Sequence, residues 1–261
     1  MVRDGEGRTE GGETARRAFR LLEALAASGP PRGLDELAAA VGLTKSTAYR
    51  LLRVLQEESY IERVSAGGYQ IGSRLVALAA AALPQLDVYA AARPVLHGLA
   101  VRTGETVTLH RRAGDLGILV LAAESEQHSV RRVATIGEAN PLHRGCSGLA
   151  ILAGLPAADR EEVLRRGVPE DGRAAHRDAL AGIRGAGHAI SHGENHPGVN
   201  GIARALPATV GTATATSVAI SGPAQRWTPE RMRDHVPDLV AATDALSALF
   251  ATSSPAREPA R

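Results

Sequence analysis

Residues 33–71 constrain this chain most, because they string together a short helix, a glycine turn, a capped amphipathic helix and a glycine-rich hairpin. Residues 34–41 read as a short helix with Asp35 and Glu36 in its first turn, where carboxylates complement the positive end of the helix dipole. Gly42 ends it. Thr44, a good N-cap residue, opens a helix that runs to about Glu58. Ala48, Leu51, Leu52 and Leu55 recur along it at the i, i+3, i+4, i+7 spacing of a single buried stripe. Residues 60–64 and 69–71 then form two short β-like runs joined by Ser65-Ala66-Gly67-Gly68, whose glycines permit the positive φ of a tight hairpin.

The face opposite the leucines carries Lys45, Ser46, Tyr49, Arg50 and Arg53, with Thr47 between the faces at the helix start. A recognition helix of the helix-turn-helix type needs this arrangement, because its N-terminal end enters the major groove while the preceding helix crosses the backbone. Arg50 has the fork that matches guanine O6 and N7. Thr44, Ser46, Thr47 and the free amides of the first turn suit phosphates or base edges. Lys45 and Arg53 suit phosphates. Arg63, Gly67 and Gly68 would lie along an adjacent groove or the backbone, as a wing. A basic face on an isolated helix is equally compatible with a solvated surface. The hairpin that follows tips the reading to a winged helix-turn-helix and to double-stranded operator DNA as partner. The net charge of +2 carries no such information.

With 261 residues the chain has room for more than one domain, and its patterning changes along its length. Residues 1–12 read as a disordered arm and 13–73 as the winged helix-turn-helix, opened by a helix with Ala15, Phe19, Leu22 and Ala26 on one face. Gly29-Pro30-Pro31 ends that helix. Residues 74–86 read as a linker helix interrupted at Pro84, and residues 87–251 as a second domain. That domain opens with a helix over 87–103 that Pro94 should kink or restart. Strands follow at 106–111 and 116–123 around Ala113-Gly114-Asp115, helices at 148–153, 157–166 and 173–185, strands at 189–191, 201–206 and 214–221, and one closing helix over 228–251. The mixture predicts an α+β fold on an antiparallel sheet, followed by a disordered tail over 252–261. Aromatic residues are only 3%, so Ala, Leu and Val must build the cores. The single cysteine, Cys146, excludes an internal disulfide and fits a reducing compartment, the cytoplasm. No signal peptide or membrane span is legible.

The run RRAFRLLEALAASGPPRGLDELAAAVGLTKSTAYRLLRVLQEESYIERVSAGGYQIGSRL resembles the N-terminal domain of the IclR family of bacterial transcriptional regulators. PLHRGCSGLAILAGLP, GHAISHGENHPGVNGIA and SVAISGP resemble segments of that family's effector-binding domain. The resemblance implies a winged helix-turn-helix, a linker helix and a GAF-like domain that binds a small-molecule effector. It also implies dimers or dimers of dimers on palindromic operators, and more often repression than activation. Carried over residue by residue, it points to Cys146, Ser147, Ser191, Val199, Gly201, Ala219 and Ser221 as effector contacts. Ser191 stands where some members carry an acid, and Leu149 where the family has a lysine expected on the helix surface.

Two other chemistries are written into the same segment. His188, His192 and His196 recur every four residues, a spacing that would bring three imidazoles together for zinc on a helix, but the segment is rich in glycine and reads as a loop. Cys146 or Ser147 with His143 or His192 and Glu194 would supply a nucleophile and a base for a hydrolase-like enzyme. A lone cysteine is more often a small buried hydrophobe. The chain has no Gly-x-Ser-x-Gly elbow and no Walker-type phosphate loop, and no metal or cofactor is expected.

Overall fold

The computed structural model describes residues 10–26, 32–65, 67–82, 87–207 and 215–252. The chain divides into two compact units, residues 1–86 and 87–261. The expected break at Gly29-Pro30-Pro31, the interruption at Pro84, Ala66 of the hairpin and the tail beyond Thr252 lie outside the described residues. None of the described helices is long and apolar enough to cross a membrane.

The first unit contains α1 (Glu10–Ala26), α2 (Leu34–Ala40), α3 (Lys45–Glu57), β1 (Ile61–Arg63), β2 (Tyr69–Ile71) and α4 (Ser73–Ala82). Helix α1 thus begins inside the stretch expected to be a disordered arm. Its buried side is not the expected one. Leu21 and Leu25 enter the core beside the half-buried Ala18 and Leu22, whereas Ala15 and Ala26 are exposed and Phe19 is 63% exposed. Both stripes have helical spacing and share Leu22; the winning one buries two more leucines against α3, hence more apolar area. In α2, Glu36 Oε2 accepts from the Gly33 N–H. In α3 the Thr44 hydroxyl oxygen accepts from the Thr47 N–H, and Ala48, Leu51, Leu52 and Leu55 are buried as the spacing required. Strands β1 and β2 pair antiparallel from Ile61↔Ile71 to Arg63↔Tyr69, and Arg32 bridges to Tyr69 on the other side.

The second unit contains α5 (Asp87–Thr103), β3 (Thr106–Ala113), β4 (Leu116–Ala123), β5 (Ala139–Pro141), α6 (Gly145–Gly154), α7 (Ala157–Gly167), a 3-10 turn (Glu170–Gly172), α8 (Arg173–Ala186), β6 (Ala189–His192), β7 (Val199–Ala205), β8 (Thr216–Pro223), α9 (Pro229–Asp234) and α10 (Val236–Thr252). Its six strands form one antiparallel sheet in the order β5-β4-β3-β8-β7-β6. Side chains alternate between its faces. Val107, Leu109, Ile202, Val218 and Ile220 are fully buried on one face. Arg111 on this side bonds the Tyr89 hydroxyl of α5, and Arg204 reaches Val240, Thr243 and Asp244 of α10, so α5 and α10 cover that face. Helix α6 covers the other, with Cys146 and Ala150 seated on Ala189, Ala203 and Ala219. Further hydrophobic residues of α6 join α7 and α8 in a second cluster around Leu152, Val163, Leu164 and Leu180.

Three expectations fail here for physical reasons. Helix α5 does not restart at Pro94 but continues through it, with Ala92, Leu96, Leu99 and Ala100 buried on both sides. The single closing helix is two, divided at His235; Pro237 has no N–H to continue α9 and its ring would meet the carbonyl of residue 233, so the chain restarts as α10. Leu149 does not lie on the surface but is half-buried against both hydrophobic clusters, which explains an apolar residue there.

The hairpin of the first unit is locked to the end of α3 at Gly72. Its N–H donates to the Tyr60 carbonyl at 2.8 Å, and a Cβ placed there would sit 2.4 Å from the Ser59 carbonyl oxygen. At Gly33, by contrast, a Cβ would meet nothing within 4 Å. Gly72→Ala should therefore lower the first unit's unfolding free energy by about 1–3 kcal/mol, the size of a steric insertion that only backbone movement relieves. Gly33→Ala should leave it nearly unchanged. Thermal unfolding of the two full-length variants, followed by circular dichroism, checks the difference.

Candidate functional site

Two sites arise, one in each unit. On α3 the side chains of Thr44, Lys45, Ser46, Tyr49, Arg50 and Arg53 are exposed and Thr47 is half-buried. The Thr44 hydroxyl sits 2.9 Å from that of Thr47 and 3.2 Å from that of Ser46, so three hydroxyls cluster at the helix N-terminus. Lys45 pairs with Asp35 at 2.7 Å, and Arg53 with Glu57 at 2.8 Å, whose carboxylate raises the Arg53 pKa. Exposed pairs like these contribute little. Arg50 forms no ion pair or hydrogen bond with the described residues. In the hairpin, Arg63 and Gly67 are exposed, Gly68 is half-buried, and Gly67 has φ +92°, which its lack of a Cβ permits. Helix α4 starts against this element. The Arg74 guanidinium bonds the Glu58 carboxylate at 2.9 Å and lies 5.2 Å from the Tyr60 ring centroid, and the Ser73 N–H donates to Glu62.

In the second unit the site begins where the alanine seat of α6 ends. One step along the strands from the row Thr108, Ala219, Ala203 and Ala189 lies the row Thr106, Ser221, Gly201 and Ser191, paired across β3, β8, β7 and β6. Small side chains in the first row let α6 come down onto the sheet; Ser221, Gly201 and Ser191 of the second line the floor beyond the helix N-terminus. Gly201 is the centre, because a Cβ there would sit 2.7 Å from the Cys146 sulfur and 3.2 Å from both the Ser191 and Ser221 hydroxyls. The cavity so formed spans about 410 Å3 between atoms, part of it open to solvent. Cys146, Ser147, Ser191, Val199, Gly201, Ala219 and Ser221, dispersed over 76 residues of sequence, all line it.

Sequence reasoning missed the remaining wall. Thr108 and His110 come from β3, Arg132 from the segment after β4, Asn140 from β5, and Asn195 from the turn before β7, beside His196, which the sequence had offered only as a metal ligand. Alternation from Thr106 was the one available signal for Thr108 and His110; nothing local marks Arg132. Arg132 donates to Glu138 Oε2 at 3.0 Å and lies 3.2 Å from His196 Nε2, while Glu138 Oε1 accepts from Asn140 and His196. Burial pushes the Glu138 carboxyl up, yet the Asn140 hydrogen bond and the nearby Arg132 and His196 bring it below its ordinary value. His110 is pushed down to about 4, first by burial and then by the charge of Arg132, so it is neutral at physiological pH.

The alternative chemistries fare differently. Neither His143 nor His192 lines the cavity with Cys146; His143 packs edge-on to His176, 6.3 Å between centroids, and His192 is exposed at the end of β6. Burial raises the Cys146 thiol to about 11, opposed only in part by its bond with Ser191. His188 faces the Ala186 carbonyl and His196 faces Glu138, so the histidine triplet is spread out, and no group of three or more potential metal ligands forms among the described residues.

A winged helix-turn-helix and a sheet domain with a small polar cavity in one chain define a DNA-binding transcriptional regulator with a ligand-binding domain. Residues 14–65 match the family model for the IclR helix-turn-helix domain, and residues 80–248 the model for the bacterial transcriptional regulator IclR C-terminal domain. The chain belongs to the IclR family. It is 31% identical over 231 residues to the HTH-type transcriptional repressor AllR of Klebsiella pneumoniae, covering 85% of this chain and 84% of that one. It is 31% identical over 244 residues to the transcriptional regulator SauR of Cupriavidus necator, covering 90% and 95%. A crystal structure described as an IclR transcriptional regulator from Silicibacter sp. TM1040 superposes with a TM-score of 0.79 at 28% identity, covering 95% of this chain and all of that one.

The two pKa shifts have measurable consequences. A thiol held near 11 is almost wholly protonated at pH 8, so iodoacetamide should modify Cys146 far more slowly in the native protein than in guanidinium; equal rates would place the sulfur outside the cavity wall. His110 has a folded pKa below its unfolded value, so its contribution is complete above about pH 6.5. Below that the unfolded chain takes the proton and the folded one does not, and stability falls by something on the order of 3 kcal/mol by pH 4. His110→Asn should flatten the fall of melting temperature between pH 6.5 and 5.

Proposed function

We propose that this protein is a repressor that binds a specific palindromic operator as a homodimer, alone or paired into a tetramer, and releases or grips it according to a small molecule held in the cavity at the N-terminus of α6. One observation carries the DNA half of this reading. Arg50 stands exposed, without a partner among the described residues, one turn beyond the hydroxyl cluster of Thr44, Ser46 and Thr47 in the helix that follows the turn. The name of the Klebsiella pneumoniae relative, a repressor, supports the direction of regulation.

In this reading Arg50 reads a base edge and Lys45 and Arg53 exchange their surface carboxylates for phosphates. Arg63, Gly67 and Gly68 track the neighbouring backbone. Two such helices in a dimer address half-sites about one helical turn, or a multiple of it, apart. The protein works in the cytoplasm and without catalysis. The ligand has leverage only if it binds two arrangements of the dimer with different affinity. The Arg74 contacts with Glu58 and Tyr60 give α4 a grip on the recognition element through which such a difference could act.

The test is binding to a duplex from the upstream region of the protein's own gene, against scrambled duplex, across a salt series. Specific binding should weaken steeply with salt. Arg50→Ala should reduce the preference for operator over scrambled DNA by about 10- to 100-fold, whereas Arg53→Ala should weaken binding to both about equally. Equal losses of preference from the two variants would overturn these roles.

A further inference from the structure

Helix α5 is held unequally along its length. Its last turn is pinned, because Arg102 pairs with Asp238 of α10 at 3.1 Å and Gln127 Nε2 donates to the Val101 carbonyl at 2.6 Å. Its start is fastened differently. Among the described residues no ion pair involves α5 before Arg102. Instead the Tyr89 hydroxyl accepts from Arg111 Nη1 of β3 at 2.7 Å, the guanidinium lies 5.9 Å from the Tyr89 ring centroid, and that ring meets Phe250 edge-on at 6.5 Å. Arg111 is half-buried and forms no ion pair among the described residues. A phenol oxygen meets one of its five N–H groups, so β3 and α5 are joined at a point rather than by a bidentate fork.

The other side of the same stretch of β3 is cavity wall. His110 precedes Arg111, and neighbouring residues of a strand face opposite sides of the sheet. His110 lines the cavity on the α6 side while Arg111 reaches Tyr89 on the other. The strand is also least regular here. Against β4, Leu109 pairs with Leu121 but His110 with Leu119, so Val120 is an extra residue and the ladder bulges beside His110. Against β8 the register runs on unbroken.

Building on the regulatory reading above, we infer that the contact between Arg111 and Tyr89 is the joint through which the state of the cavity reaches the start of α5 and thereby operator binding. Both are positioning residues, acting through β3 and α5 and not by touching effector or DNA. A shift of β3 at His110 carries Arg111 with it. With the last turn of α5 pinned, the pull on Tyr89 tilts the first turns of that helix, which follows α4 in the chain after residues 83–86. The two arrangements that an effector distinguishes then differ in where Tyr89 stands.

The experiment uses the full-length protein and needs no effector, because a substitution at His110 alters the cavity wall directly. His110→Phe, with His110→Gln as a second choice if the first does not fold, is placed in wild-type, Tyr89→Phe and Arg111→Lys backgrounds. Amide hydrogen exchange along α5 is measured without DNA, and preference for the upstream duplex over scrambled duplex is measured separately. His110→Phe should change exchange over residues 89–93 by at least about threefold and duplex preference by at least about fivefold, a size known for substitutions that carry coupling. Both responses should fall below about twofold in Tyr89→Phe, which keeps the ring and loses only the hydroxyl. Arg111→Lys keeps a donor and should retain part of each. A contact with a merely structural role would leave the effects of His110→Phe and Tyr89→Phe additive. Additive effects, or no response of α5 to either His110 variant, would overturn the joint while leaving the DNA reading intact. A wild-type protein without preference for the upstream duplex or for any member of a random library would overturn the DNA reading, and with it the joint's role in operator binding, whatever the exchange shows.

Discussion

The second unit depends on the close approach of α6 to its sheet. Four strands present alanine, glycine, serine or threonine wherever the helix lies, and Gly201 leaves room for the Cys146 sulfur that any side chain would displace. With larger residues the helix would ride higher, and the helices behind it, which share its hydrophobic cluster, would move with it. The cavity is a consequence of this seat. Where the helix stops and the row of small residues continues, the cavity opens, lined on this side by the small polar groups the strands carry there.

The opposite wall is built by other means and at greater energetic risk. Arg132, Glu138 and His196 come from loops and meet at the cavity rim, where Arg132 is nearly buried, Glu138 partly so and His196 still exposed, so the ion pair must offset part of its lost hydration. The Asn140 amide and the His196 ring supply part of that offset. A similar solution holds β8 to β3, where Glu105, fully buried, takes both nitrogens of Arg226 against the backbone of Gly222. The two buried pairs differ in one respect. Arg226 uses its fork on a single carboxylate, whereas Arg132 meets Glu138 through Nη2 and its Nη1 has no partner among the described residues.

The first unit applies the same economy to DNA. One helix contributes its leucine stripe to the core and its other face, hydroxyls first and arginine next, to solvent. The close contact at Gly72 and the Arg74 clamp tie the hairpin and the start of α4 to the end of that helix.

The sequence by itself determined the elements whose signals are local and periodic. The stripe of α3 with its Thr44 cap, the hairpin, the β3 and β4 strands and the α+β class with an antiparallel sheet all follow from spacing, capping and turn chemistry. The seven cavity residues on α6 and β6–β8 were legible too, but only through resemblance to a family, since no spacing links residue 146 to residue 221. Tertiary structure decided the rest. Which of two apolar stripes of α1 turns inward, whether Pro94 breaks a helix, and whether Leu149 meets solvent depend on what packs against them. The charged wall of the cavity was illegible for the same reason. Arg132 stands in a segment without periodicity, and its surroundings are set by Glu138, His110 and His196, which only the folded sheet brings within reach. Local physics writes helices and strands into the chain; long-range packing sets which side chains share a cavity and which are left without a partner inside it.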